Sequence, residues 1–278
     1  PFSNQTIAYL DMYQQYVPLL YSLSAITKDW SNLFYSFDVG GGMNFFGVFC
    51  YYLNPDSFLS LFFGRENLIY FVNVLLIIKI SLSSLFAAMC FKYCFKNLNR
   101  AIAVLLGVSY GFCGYVMQLY QIIGWVSGMV IFPLIIISLY RLINDDKYIM
   151  FIICLSAAFF INFYIALFIV GFGIFISAFY IIFIANDKIR AAATLLLSTI
   201  AALLISCIIL LPCYYSVNSS VRESSIFNNV IYGNPYELNS HIWGQIQTKT
   251  AYLLCGAITM PSVLILLSLK MSLIIRSL

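Results

Sequence analysis

Charged residues are scarce in this chain. Only 9% of its 278 residues are charged and a single histidine is present, whereas 63% are hydrophobic. A soluble domain carries about 25% charged residues, so this composition excludes a soluble globular protein and indicates an integral membrane protein. The 14 basic residues stand singly near the ends of apolar runs. They form no basic patch, which excludes a nucleic-acid-binding surface.

The chain also lacks any Cys-x-x-Cys pair. Its eight cysteines lie mostly inside apolar runs, at positions 50, 90, 94, 113, 154, 207, 213 and 255. Free cysteine behaves as a small buried hydrophobe, and this role is the prediction for these residues. Metal binding or a disulfide is the alternative.

Long apolar runs dominate what the chain does contain. They do not alternate apolar and polar residues as a membrane barrel would, so helices are the spanning elements. We predict spans over 68–91, 101–118, 126–141, 148–161, 164–185, 191–212 and 251–269. The apolar run 148–185 would reach roughly 57 Å as one helix, nearly twice the hydrocarbon core of about 30 Å. Two thin spans joined by a turn at Asn162 are therefore predicted.

Basic residues predict the orientation of these spans. Short connections rich in Lys and Arg favour the cytoplasmic side of a membrane. Nine of the 14 basic residues fall in four such connections: 92–100, 141–147, 188–190 and 270–276. The long segments 1–67 and 213–250 then lie outside the cell, and they hold seven of the ten acidic residues.

The predicted organisation has four parts. They are an extracytoplasmic loop over 1–67, a bundle of about six spans over 68–212, a second outer loop over 213–250 and a further span within 251–278. The chain has no initiator methionine, and we expect it to be a fragment of a longer protein. The predicted location is the cell membrane of a bacterium, with residues 1–67 outside.

The first outer loop is dense in aromatic residues, which favour the membrane–water interface. Its pieces 6–26 and 55–64 are predicted to be short helices that lie flat on the bilayer. Asp56 follows Pro55 in a helix-start pattern and is predicted to cap the second of these helices.

Two further carboxylates in this loop are candidates for chemistry. Asp11 stands in an apolar and amide-rich setting, so it is either solvated at the surface or directed into a polar cavity. Asp38 precedes three glycines. Glycine permits a close approach of the backbone to a ligand, although a plain turn explains the glycines equally well.

Six short motifs then follow one another in a recognisable order. They are Asp11-Met12-Tyr13-Gln14-Gln15-Tyr16, Phe34-Tyr35-Ser36 through Gly41-Gly42, Tyr51-Tyr52-Leu53-Asn54-Pro55, Trp125 before Phe132-Pro133-Leu134, Asn162-Phe163-Tyr164-Ile165, and Leu210-Leu211-Pro212. On these motifs the chain resembles the bacterial YfhO family of multi-pass membrane proteins over most of residues 9–215.

The resemblance implies an all-α transmembrane bundle of the GT-C type. It implies an enzyme that moves a sugar from a polyprenyl-phosphate carrier to an extracytoplasmic cell-wall polymer such as teichoic acid. GT-C enzymes place a key aspartate in the first outer loop, and this role maps onto Asp11. The base must take the proton of the acceptor hydroxyl. Asp11 is assigned this role, or that of holding a divalent metal if one is used; Asp38 inherits less support.

Phosphate binding is predicted for two basic residues. Lys79 lies near the middle of its span, where an ionisable group marks a functional candidate. A structural pair with a neighbouring helix, or snorkelling, is the alternative. Arg222 lies just outside a span and meets either the phosphate or Glu223. Further predicted substrate contacts are Tyr13, Gln15, Asn162 and Tyr164.

A polytopic transporter or lipid flippase of the cell envelope is the main alternative function. It also needs many spans and some intramembrane charge. Such proteins usually carry broken helices at matching places in two halves, and no such repeat is evident here. A non-catalytic scaffold is a third hypothesis.

Overall fold

The computed structural model describes residues 6–37, 42, 44–47, 53–183, 185 and 187–218. These residues form a bundle of helices. The α-helices are α1 (Val17–Ile26), α2 (Leu68–Cys94), α3 (Arg100–Gly111), α4 (Gly114–Leu119), α5 (Ile123–Asp145), α6 (Tyr148–Ile161), α7 (Phe163–Phe183) and α8 (Lys188–Asn218). A π-helical stretch, Met12–Tyr16, leads into α1. Short 3-10 helices cover Trp30–Leu33, Pro55–Phe62 and Arg65–Asn67. The prediction of an all-α, multi-pass membrane protein is confirmed.

Five helical segments are long and apolar enough to cross a membrane. They are Arg65–Cys94, Arg100–Leu119, Ile123–Asp145, Phe163–Phe183 and Lys188–Tyr215, and they match five predicted spans. The helix α6 has only 14 residues. It is about 21 Å long and covers part of a hydrocarbon core of about 30 Å. The predicted span 251–269 lies outside the described residues.

The turn predicted at Asn162 is confirmed. Helix α6 ends at Ile161, and Asn162 adopts an extended backbone with φ −161° and ψ 107°. Its side-chain oxygen accepts a hydrogen bond from the backbone N–H of Ile165 at 3.0 Å. An asparagine in this position satisfies a donor that the first turn of α7 would otherwise leave free.

The basic connections 92–100, 141–147 and 188–190 meet at one end of the bundle, and the fourth, 270–276, lies outside the described residues. The ring of Tyr140 makes edge-to-face contacts with those of Tyr93 and Tyr180, at centroid distances of 5.7 and 5.8 Å. Arg190 pairs with Asp146 at 2.8 Å. The ends of α2, α5 and α7 and the start of α8 therefore lie together, as the charge pattern requires. That this end faces the cytoplasm remains a prediction.

The N-terminal helix packs against the first half of α2. Met12, Tyr16 and Leu20 are buried in one apolar cluster with Val72 and Leu76. The predicted pieces 6–26 and 55–64 do contain helices, and their orientation flat on the bilayer remains a prediction. This packing brings the N-terminal helix against the transmembrane helices.

Helices α2 and α3 approach closely at small residues. A Cβ atom added to Gly107 would lie 2.5 Å from the backbone oxygen of Ser84 and 2.7 Å from the Cβ atom of Ala88. One added to Gly111 would overlap the side chain of Ser84. Small residues let helix backbones approach closely inside a membrane, and these two glycines fix the spacing of α2 and α3.

Gly107→Ala is therefore expected to destabilise the protein by about 1–3 kcal/mol through overpacking. The gain of about 1 kcal/mol that alanine brings to a helix offsets part of this loss and is common to the control variant Gly171→Ala. Gly171→Ala is the matched control, because no atom lies within 4 Å of its added methyl group. Thermal unfolding of the purified protein in detergent measures both variants. A midpoint for Gly107→Ala at or above that of Gly171→Ala would contradict the close packing.

Candidate functional site

A buried ion pair joins the segment before α2 to the transmembrane bundle. Lys79 of α2 is 3% exposed, and its Nζ atom lies 2.7 Å from the Oδ2 atom of Asp56. Asp56 belongs to the 3-10 helix Pro55–Phe62. A lysine inside an apolar bundle is strongly unfavourable unless it is paired. The pairing therefore anchors the 3-10 helix on α2.

Two polar side chains complete the surroundings of Lys79. Its Nζ atom donates to the Oγ atom of Ser127 at 2.5 Å. With its amide oriented to satisfy its neighbours, Asn54 accepts hydrogen bonds from Lys79 at 2.8 Å and from Ser127 at 2.7 Å. Its amide nitrogen donates to the carbonyl oxygen of Ile161 at 2.5 Å. We call Asn54, Asp56, Lys79 and Ser127 the Lys79 cluster.

Local chemistry at the start of the 3-10 helix places Asn54 and Asp56. Asn54 precedes the helix, and its backbone N–H donates to the Oγ atom of Ser57 at 3.1 Å. The hydroxyl groups of Ser57 and Tyr16 lie 2.8 Å apart. Burial, with a smaller contribution from the charge of Asp56, raises the pKa of Tyr16 well above its usual range.

The predicted capping role of Asp56 is wrong. Asn54 occupies the N-cap position, and Asp56 lies in the first turn of the helix. Its carboxylate binds Lys79 instead. Lys79 therefore forms a structural pair with Asp56, as the alternative interpretation of this lysine predicts. Binding of a phosphate by Lys79 remains a prediction.

Two buried polar atoms close to these elements are unsatisfied. The Oδ1 atom of Asp56 is inaccessible and has no hydrogen-bond partner among the described residues, although its side chain as a whole is 32% exposed. The Nε1 atom of Trp125 is also buried without a partner in the same part of the chain. A buried group without a partner costs about 1–3 kcal/mol, so each atom marks a place where a ligand group would be stabilised.

The tip of the α6–α7 hairpin lies beside the Lys79 cluster. Ile161 accepts the hydrogen bond from Asn54, and the adjacent Asn162 is buried. The ring of Tyr164 stacks on that of Trp125 with a centroid distance of 6.0 Å and an interplanar angle of 24°. The structure thus brings the predicted residues Lys79, Asn162 and Tyr164 to one region.

Asp11 forms its described hydrogen bond within its own helical segment and not with the Lys79 cluster. Its Oδ1 atom accepts a hydrogen bond from the side-chain nitrogen of Gln15 at 2.9 Å, one helical turn away. Asp11 is half-buried, whereas Tyr13 and Gln15 are exposed. The roles of these three residues remain predictions. Asp38 and Arg222 lie outside the described residues.

No sequence motif indicated functional roles for Asn54, Asp56 and Ser127. A signal for them existed, because a lysine in the middle of a span requires a partner. Across the described ranges, no three His, Cys, Asp or Glu side chains gather as ligands for a metal ion. A divalent metal held by Asp11 remains an untested alternative.

The fold and the buried polar cluster define a polytopic α-helical membrane protein. A family model described as bacterial membrane protein YfhO matches residues 1–274. The chain therefore belongs to the YfhO family of bacterial membrane proteins. No curated protein and no solved structure matches it.

Proposed function

We propose that this protein is a membrane glycosyltransferase that moves a sugar from a polyprenyl-phosphate carrier to a cell-wall polymer such as teichoic acid. The observation that carries the proposal is the Lys79–Asp56 pair, whose partners are 2.7 Å apart inside the bundle. It supplies the two groups that the reaction needs, a cation for a lipid-linked phosphate and a carboxylate for an acceptor hydroxyl. One carboxylate oxygen still has no donor among the described residues.

The carrier phosphate would bind at Lys79. Ser127 and Asn54 already contact its ammonium group and would lie beside the incoming phosphate. Preorganised positive charge at a departing phosphate stabilises the transition state because it meets negative charge as it develops. A site between apolar helices also lets the polyprenyl chain remain in the hydrocarbon core while the phosphate reaches the lysine.

Sugar transfer would then occur as one displacement. The acceptor oxygen attacks the anomeric carbon, the bond from that carbon to the phosphate oxygen breaks, and polyprenyl phosphate leaves. The hydroxyl proton passes to a carboxylate acting as the general base. Direct displacement inverts the configuration at the anomeric carbon and requires no covalent intermediate with the protein.

Two carboxylates are candidates for this base. Asp11 follows from the family resemblance, and Gln15 orients its carboxylate. Asp56 follows from the structure. Because the phosphate competes with Asp56 for Lys79, carrier binding would release the Asp56 carboxylate beside the sugar. The released carboxylate would then accept a hydrogen bond from the hydroxyl group of the acceptor polymer.

Membrane vesicles that contain the full-length protein provide the test. They are supplied with labelled polyprenyl-phosphate sugars, and the label that moves from lipid to polymer is measured. Asp11→Asn is expected to lower transfer by about 100-fold or more if Asp11 is the base. Asp29→Asn is the matched control in the same loop, because Asp29 is exposed and its oxygen accepts hydrogen bonds from Ser31 that asparagine can also accept.

Other outcomes identify the alternative functions. Label that crosses the membrane while still attached to its lipid indicates a flippase. Label that neither crosses nor leaves the carrier, with any of the sugars supplied, contradicts both the enzyme and the transporter.

A further inference from the structure

A second polar site lies at the end of the bundle where the basic connections meet. It is a cavity of about 460 Å³ between the end of α2 and the end of α5. Its lining residues are Lys92, Tyr93, Lys96, Tyr140, Asn144 and Asp145. Cavities of about 300–1,000 Å³ are typical of small-molecule sites. Ser127 of the Lys79 cluster lies at the opposite end of α5, so the two sites are separate.

The lysines of this cavity are positioned by the end of α2. The Nζ atom of Lys92 donates to the backbone oxygens of Lys96 and Leu98 at 2.9 and 2.7 Å. Both carbonyl oxygens belong to the turn that follows α2, and together they hold this ammonium group in place. The side chain of Lys96 is exposed. Neither lysine pairs with a carboxylate of the described residues.

Lys92 and Lys96 form the basic wall of this cavity, and Asp145 of α5 forms its acidic wall. Asp145 lines the cavity without pairing with either lysine, whereas its neighbour Asp146 pairs with Arg190 at 2.8 Å. Charges of opposite sign therefore share one cavity and remain apart. A ligand that carries both a positive and a negative group would satisfy both walls.

Aromatic rings complete the acidic wall. Tyr140 contacts Tyr93 edge to face, and Tyr180 donates a hydrogen bond to Asn144 at 3.1 Å. The face of a tyrosine ring attracts an ammonium group. Tyrosines are also enriched at the level of lipid headgroups. Because the cavity lies at the ends of two membrane-spanning helices, it lies at the level of the lipid headgroups.

We propose that this cavity binds a phosphate ester that also carries an amine, the chemistry of a phosphoethanolamine group. Lys92 and Lys96 bind the phosphate, and Asp145 with the ring of Tyr140 binds the ammonium group. Basic pockets between membrane helices bind the phosphates of anionic headgroups such as cardiolipin, and here Asp145 adds a partner for an amine. The source is either a phospholipid of the adjoining leaflet or a soluble ester. The site does not depend on the proposed sugar transfer.

Native mass spectrometry of the full-length protein tests the lipid source. The detergent-purified protein is incubated with phosphatidylethanolamine or with phosphatidylglycerol, which lacks the amine, and the retained lipid is counted. Wild type is expected to retain phosphatidylethanolamine preferentially. Lys96→Gln is expected to lower retention of both lipids by about fivefold, since it removes one charge at the phosphate. Asp145→Asn is expected to abolish the preference for the amine.

Lys147→Gln is the matched control, because Lys147 is an exposed lysine of the same end that does not line the cavity. Soluble phosphoethanolamine is tested in parallel by its effect on the unfolding temperature. If it stabilises wild type but not Lys96→Gln while no lipid is retained, the site is supported and its ligand is soluble. Equal effects of Lys96→Gln and Lys147→Gln would overturn the proposal, as would an unchanged lipid preference in Asp145→Asn or an absence of binding by every probe.

Discussion

Lys79→Met is expected to destabilise the folded protein by about 3 kcal/mol. The substitution leaves the Asp56 carboxylate without its cation, and removing one partner of a buried ion pair typically costs about 3–5 kcal/mol. Asp56 is 32% exposed, so solvent recovers part of this loss and the lower end of the range applies. Asn54 and Ser127 also lose the donor that they share. Unfolding of the detergent-purified protein, followed by circular dichroism, measures the change.

The double variant Lys79→Met with Asp56→Leu separates pairing from packing. Replacing both members of a buried pair with apolar residues is often neutral or stabilising. The double variant is therefore expected to recover most of the stability that Lys79→Met loses. Lys147→Met removes an exposed lysine and serves as the control for lost charge. If the effects of Lys79→Met and Asp56→Leu on the free energy of unfolding simply add in the double variant, the pair contributes no coupling energy.

Asp56→Asn is expected to lower sugar transfer by about 100- to 10,000-fold, the usual contribution of a general base. Asparagine keeps the size of the side chain but cannot take a proton. Lys79 loses a competitor, so sugar-free polyprenyl phosphate is expected to bind at least as tightly as it does to wild type. Transfer is measured in vesicles, and carrier binding is measured on the purified protein.

Comparison with Asp11→Asn decides which carboxylate is the base. Transfer that survives in Asp11→Asn and fails in Asp56→Asn, while Asp56→Asn still binds the carrier, assigns the base to Asp56. The reverse result assigns it to Asp11. Asp29→Asn provides the common control, since its side chain caps an exposed turn. Tighter carrier binding together with undiminished transfer in Asp56→Asn would reject Asp56 as the base while supporting phosphate binding at Lys79.

The sequence was sufficient to predict most of the helices because they follow from apolar run length. The break at Asn162 was predictable for the same reason, since the run 148–185 is too long for a single crossing. The length of α6 was harder to interpret. Composition identifies 148–161 as apolar, but it does not show whether 14 residues cross the membrane alone or rest against neighbouring helices.

The candidate site was only partly predictable. Lys79 was identified because a charged residue inside a span is rare and indicates either a functional role or a buried partner. Its partner was missed because the start of the 3-10 helix contains two residues with capping chemistry, Asn54 and Asp56. The local sequence pattern predicts Asp56 as the cap, whereas Asn54 takes that position in the fold. The Asp56 carboxylate is then able to pair with Lys79, a long-range contact that no local pattern predicts.

Asn54 has a consequence for how the chain assembles. Its amide bonds with Ser127 and Ile161, which belong to segments made much later than the outer loop. Emerging domains generally fold in the order of synthesis. Here the 3-10 helix Pro55–Phe62 must wait for the α6–α7 hairpin before the hydrogen bonds at its start are complete. Docking of this 3-10 helix on α2 therefore reports that the downstream helices have reached their places.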